Sequence, residues 1–198
     1  MPVFGQCWST AQESDALWRI YSQFKSSGSY NNFFSRAEGV KLRATAKKLL
    51  DCLARGMGAK NVQKCYIGRV VYFEQAKLQQ LVADAIGMYR DAAFSGIAGH
   101  ADGLLLKRDA FQHEKEVRLL YIDSDREFEG REQIEVPIDV NNIIEEIELD
   151  PRIIGGGQAR RSKWLQNKGF KNVIRRSMLH LGISMIVPLF RPEDLKKL

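Results

Sequence analysis

The sequence predicts an α+β fold, a single domain over residues 1–198 in which a mixed β-sheet is flanked by helices. Three observations lead there. Short β-prone runs alternate irregularly with helical 3.6-residue patterns, no internal repeat or clear linker divides them, and the composition is that of an ordinary globular chain. With 198 residues, 44% hydrophobic and 27% charged, the chain is long enough for a core and unlike a disordered or fibrous sequence.

Val3 to Trp8 is short, apolar and bounded by turn residues, which suits a strand feeding a helix. Thr10 and Glu13 stand at capping-box spacing, so a helix is expected to begin at Thr10, with Ala16, Leu17, Ile20, Tyr21 and Phe24 on its apolar face. The serine-rich stretch from Ser26 ends it in a loop reaching about Arg36. Gly39 to Ala44 alternates as a strand, Thr45 to Leu53 reads as a helix stopped near Gly56 and Gly58, and Tyr66 to Phe73 is strongly β-prone. Gln75 to about Phe94 is helical with Leu78, Leu81, Val82, Ala85 and Tyr89 inward, and Ser95 to Gly103 is a glycine-containing loop. EVRLLYI and Ile134 to Ile138 read as strands. DVNNIIEEIELDP offers a short helix running into a strand, and Gln158 to Leu165 a helix after three glycines; Val173-Ile174 and Ile183 to Val187 are the last strands.

Charge is strongly polarised. The chain has 30 basic and 24 acidic residues, yet Gln112 to Asp150 holds 13 acidic and 4 basic ones, and Pro151 to Leu198 holds 11 basic and 2 acidic. Such a tail either neutralises the phosphates of a nucleic acid or nucleotide, or docks on the acidic segment before it. No apolar run is long enough to span a bilayer, so no membrane partner is expected, and MPVFGQCWST lacks the charged flank and long apolar core of a signal peptide. Cys7, Cys52 and Cys65 are odd in number and far apart, which reads as reduced thiols in a cytoplasmic protein. His100, His113 and His180 have no ligand spacing, so no metal is expected.

The sharpest local pattern is FQHEKEVRLLY. On a strand, Glu114, Glu116 and Arg118 share one face while Val117, Leu119 and Tyr121 take the other. Two carboxylates one pleat apart can divide labour, one holding a substrate hydroxyl and the other stabilising positive charge at a reacting carbon, with Arg118 holding a carboxylate ionised or gripping a phosphate. A solvated strand face with an ion pair fits the same spacing. On the catalytic reading, Glu116→Gln should remove chemistry while changing folding little. His113 beside the carboxylates is a candidate accessory. Trp8, Ser9 and Thr10 at a strand end suit holding a ribose or amide against a stacking surface, although Thr10 also has its expected capping role. Trp18 and Tyr21 are core or site-wall residues. Gly155 to Gly157 lead into a helix carrying Arg160, Arg161 and Lys163, and Arg175 and Arg176 follow; these are candidate phosphate or nucleic-acid contacts, or else a basic surface turn.

Laid in order, CWSTAQESDALWRIY, GVKLRAT, CYIGRVVYF, KRDAFQHEKEVRLLY and RRSML resemble the blocks of the bacterial domain of unknown function 2971 family, over nearly the whole chain. Members of that family usually carry a further tyrosine-bearing segment with an FNDP-type turn in front, so the resemblance implies a chain without that portion. An aromatic-Ser-Thr strand end with a later Glu-x-Glu is also similar to the second and third motifs of arginine-serine-glutamate ADP-ribosyltransferases. That likeness implies NAD as substrate, with Ser9 and Thr10 against the nicotinamide ribose, Trp8 or Trp18 walling the pocket, Glu116 as the catalytic carboxylate and Glu114 orienting the acceptor. The first-motif arginine has no counterpart. The competing expectations are a nucleic-acid-binding or processing protein, as in phage defence, and a non-catalytic interaction module.

Overall fold

A computed structural model describes residues 1–12, 14–22, 39–89, 94–151, 157–171 and 173–176. The fold is α+β. The chain divides into two compact units, Met1–Thr10 with Leu49–Val136, and Ala11–Lys48 with Pro137–Leu198.

The first unit is built on an antiparallel sheet in the order β1 (Val3–Ser9), β6 (Glu116–Ile122), β3 (Cys65–Arg69). The middle strand carries the most apolar run, EVRLLYI, because a strand paired on both edges is the one most completely removed from water. Its register sets Ser9 opposite Glu116, Cys7 opposite Arg118 and Val3 opposite Ile122. One face of the sheet buries Leu120 and Ile122 with Val3 and Tyr66 against α4 (Gly96–Gly103) and Leu104-Leu105. Gly68 lies on that face because a side chain there would run into Leu105, whose Cδ1 would be 2.4 Å from the added carbon. The other face holds Phe4 and Tyr121, each edge-on to Phe128 at 6.1 Å. The buried Asp123 carboxylate closes the following turn by accepting from the Glu127 and Phe128 N–H groups.

The β-prone run Tyr66–Phe73 changes partner after Val70: the Val70 N–H bonds the Glu116 carbonyl in register with the β3–β6 pairing, whereas the Val71 N–H bonds Leu105, so β4 (Val71–Phe73) pairs in parallel with β5 (Leu106–Arg108). α3 (Gln75–Tyr89) and α4 lie between them in the chain; no residue of α3 is buried, and Tyr89 is exposed where the periodicity places it inward. Residues 96–103, expected as a loop, form α4, since Ala101 and Ile97 gain a sheet to pack on. Residues 134–138 form no strand.

The second unit holds a mixed sheet, with β2 (Val40–Arg43) antiparallel and β8 (Val173–Arg176) parallel to the central β7 (Glu146–Leu149). Val40 and Leu42 oppose Leu149 and Ile147 on the buried side. On the other side Lys41 meets Glu148 at 2.6 Å and Arg43 meets Glu146 at 3.2 Å. Lys48, at the start of α2 (Ala46–Met57), reaches Glu145 at 3.0 Å, and Thr45 caps that helix through the Lys48 N–H. α5 (Val140–Ile143) precedes β7, and α6 (Gly157–Asn167) seats Leu165 in the core. The first helix, α1 (Asp15–Tyr21), begins later than the Thr10 capping box implies: Ser14 is its cap, while the Thr10 N–H and hydroxyl both bond the Lys115 carbonyl and prolong the pairing of β1 with β6. The expected strand at 183–187 lies outside the described residues.

Ser22 joins three segments of this unit. Its hydroxyl donates to the buried Asp150 carboxylate and accepts from the Gly39 N–H at 2.9 Å. A side-chain carbon on Gly39 would stand 2.4 Å from Ser22 Cβ and 3.0 Å from Trp18 Cζ3, with Trp18 itself fully buried. Gly39→Ala should therefore destabilise the protein by about 1–3 kcal/mol through overpacking. Urea denaturation reads this as a lower midpoint at unchanged slope; an unchanged midpoint would show that the site has room.

Candidate functional site

The site forms where β6 begins. Residues Asp109–Glu114 make a 3-10 turn, and Lys115 then adopts φ 44°, a left-handed conformation that ends the turn and starts the strand. Glu114 is therefore not on β6, as strict alternation would have it. Glu114 is instead held by Ser9, whose hydroxyl donates to the Glu114 carbonyl at 2.5 Å, and by the Lys107 ammonium on its carboxylate at 2.5 Å. Glu116 is the first strand residue: its N–H donates to the Tyr72 hydroxyl at 2.8 Å and its carbonyl accepts from Val70.

The Glu116 side chain is the hub. It is 5% exposed, and both carboxylate oxygens accept hydrogen bonds: Oε1 from Arg118 Nε at 3.0 Å, Oε2 from Arg118 Nη2 at 3.1 Å and from Lys107 Nζ at 3.0 Å. Arg118 also donates to the Leu104 carbonyl, and Lys107 sits 4.7 Å from the centre of the Phe111 ring. Burial alone would raise the Glu116 pKa, but hydrogen bonds from Arg118, Cys7 and Lys107 overcome it and hold the carboxyl at about 2. Burial would likewise lower Lys107, yet Glu114 and Glu116 hold it above its ordinary value, and the Glu116 bond raises Arg118. Burial of its sulfur, then the Glu116 carboxylate, push the Cys7 thiol up to about 11, although the residue is exposed. The four charges of Glu114, Glu116, Lys107 and Arg118 balance, and the carboxylate at their centre stays ionised.

Beside this cluster lies a cleft of about 470 Å³, bordered by Thr10, Arg69, Tyr72, Gln112, His113, Lys115 and Glu116. Its volume falls in the range of small-molecule sites. Arg69 and Lys115 are exposed, and neither has a carboxylate partner among the described residues. With Glu116 already neutralised, the cleft is electropositive.

Of the residues singled out in the sequence, Ser9, Glu114, Glu116 and Arg118 come together, and Thr10 and His113 border the cleft. Trp8 does not join them: alternation along β1 turns it to the opposite sheet face, where its indole N–H bonds Gln6. Trp18 and Tyr21 belong to α1 of the second unit, the first fully buried and the second exposed. Arg160, Arg161 and Lys163 lie on α6, and Arg175 and Arg176 on β8. His100 bonds the Gly96 carbonyl within α4, and His180 lies outside the described residues. Among the described residues no group of three or more His, Cys, Asp or Glu could hold a metal ion. Lys107, Arg69 and Tyr72 are members the sequence does not single out, because they lie on other strands and only sheet pairing brings them to Glu116. Comparison with protein-family models, curated proteins and solved structures returns no match.

This geometry alters what Glu116→Gln should do: losing the anion leaves Lys107 and Arg118 facing each other half-buried, so folding does not stay unchanged. A carboxyl depressed to about 2 contributes its stabilisation above the unfolded value near 4.5 and loses it as pH falls toward 2. The contribution is about 3 kcal/mol. Urea denaturation of wild type and Glu116→Gln should give a stability difference that is full at pH 7 and shrinks between pH about 4.5 and 2; a pH-independent difference would refute it. In the same variant the Cys7 thiol should titrate below its wild-type value near 11, read from the pH dependence of its alkylation rate.

Proposed function

We propose that the cleft of the first unit binds a phosphate-bearing nucleotide, and that NAD is the ligand the ADP-ribosyltransferase resemblance indicates. The observation that carries this reading is the pair of cations Arg69 and Lys115, without a carboxylate partner among the described residues, beside a carboxylate whose charge Lys107 and Arg118 already cancel. Arg69 suits a bidentate grip on one phosphate and Lys115 a point charge on the next. The Tyr72 ring provides a flat wall, and Thr10 and Gln112 supply neutral hydrogen-bonding groups for ribose or amide. The family resemblance belongs to the same proposal. Its two most distinctive blocks meet in the sheet, with Cys7 opposite Arg118 and Ser9 opposite Glu116.

Cleavage of NAD adds one demand. When the bond from ribose C1′ to nicotinamide breaks, nicotinamide leaves with the electron pair, and water or an acceptor adds to C1′ and loses a proton. Glu116 is ionised and suited to stabilise the oxocarbenium ion once Lys107 or Arg118 yields one of its oxygens to the substrate. Without that release Glu116 positions Arg118 and Lys107, and the protein is a binding module.

Calorimetric titration of the full chain at low ionic strength should show ADP-ribose binding at one site at least about tenfold tighter than inorganic phosphate. Arg69→Ala and Lys115→Asn should each weaken ADP-ribose by about tenfold or more, the usual loss of a charge-assisted hydrogen bond; asparagine tolerates the left-handed backbone at 115. No binding, or binding indifferent to both variants, overturns the proposal. Nicotinamide release by wild type that disappears in Glu116→Gln at retained fold assigns cleavage to this carboxylate, and nucleotide binding without release assigns the binding module.

A further inference from the structure

Carboxylates of the acidic segment pair with cations of β2, of α2 and of the first unit. Glu145, Glu146 and Glu148 pair with Lys48, Arg43 and Lys41, all on β2 or the start of α2. In the first unit, Asp125 and Glu127 pair with Lys64 and Lys60. Residues 157–171 contain five cations and no carboxylate. Arg160, Lys163, Lys168 and Lys171 are exposed and have no carboxylate partner among the described residues.

Packing aims these charges outward. Leu165 is 1% exposed and Phe170 8%, so the helix and the turn after it each bury one apolar side chain. At about 100° per residue, Arg160, Lys163 and Asn167 then fall opposite Leu165, with Trp164 on their flank. The turn is held from below: Asn141 donates to the Gly169 carbonyl at 3.1 Å and accepts from the Lys171 N–H at 2.9 Å. Trp164 is partly exposed, and the Lys168 ammonium sits 6.0 Å from its ring centre.

We propose that this face, formed by Arg160, Lys163, Trp164, Lys168 and Lys171, binds single-stranded nucleic acid. The cations match a phosphate backbone, whose binding releases condensed counterions. The partly exposed indole selects the single strand over the duplex, because an unpaired base offers a π-face for stacking and a duplex does not. The Lys168 ammonium lies over the ring, so cation and stacked base act on the same indole. The surface lies wholly within the second unit, and the residues bordering the nucleotide cleft lie within the first.

The test is fluorescence anisotropy of the full chain with a labelled oligothymidylate of about 15 nucleotides and with a duplex of equal length, over a range of salt concentrations. The single strand should bind more tightly, with affinity falling as salt rises. Arg160→Gln combined with Lys163→Gln, both at exposed positions, should reduce the salt slope by about 1.4, near 0.7 for each lost charge. Trp164→Leu should weaken binding about tenfold, and Trp164→Phe should retain most of it. No binding at low salt overturns the proposal. Equal or tighter duplex binding, or a Trp164→Leu variant that is folded by circular dichroism and binds as wild type, reduces the face to an unselective polyanion surface and also overturns it. Competition by saturating ADP-ribose would move the oligonucleotide to the cleft.

Discussion

A carboxylate removed from water at the first residue of the central strand must be matched on both oxygens, and much of the first unit's arrangement around Glu116 follows from that requirement. Arg118 answers from two residues along β6 and Lys107 from β5, so the ion cluster ties the antiparallel sheet to the parallel β4–β5 pair. The backbone of Glu116 contributes to the same junction through Tyr72 and Val70. Glu114 is drawn in by Lys107 and by the Ser9 hydroxyl, which anchors the turn before the strand. A cluster of this kind is costly to break, since removing any member strands an opposite charge in a half-buried setting.

The same balance shapes the cleft. Because Glu116 is neutralised by residues behind it, the cations that border the opening, Arg69 and Lys115, have no carboxylate partner among the described residues. The positive character of the cleft is a consequence of where the acids are satisfied. The left-handed Lys115 sits at the point where the turn gives way to β6, so the residue offered to a ligand is also the one whose backbone conformation starts the strand.

In the second unit, acids and bases are matched by strand register. Lys41 opposite Glu148 and Arg43 opposite Glu146 place each pair on the same side of adjacent strands, where cross-strand partners are nearest. Net charge and its placement thus carry different information: the sequence total describes long-range attraction, and the pairing decides which cations remain for a partner.

By itself the sequence determined the α+β class, the existence of most elements and the residue types of the charged cluster, because alternation and helical periodicity are local properties of consecutive side chains. EVRLLYI, VKLR and EIEL are strands on that ground. Elements whose local signal was outweighed by packing were not legible: α4 looks like a glycine loop until a sheet face covers Ala101, and Thr10 looks like a helix cap until Lys115 offers its carbonyl. Glu114, Glu116 and Arg118 were visible as a pattern, but their roles depend on Lys107, seven and nine residues from the two acids and on a different strand. Only the tertiary structure decided that Glu116 is doubly paired, that Trp8 faces away from Ser9 and that Arg69 and Lys115 are left to border a cleft. Which charges meet is set by strand order and register, and these depend on contacts between residues far apart in the chain.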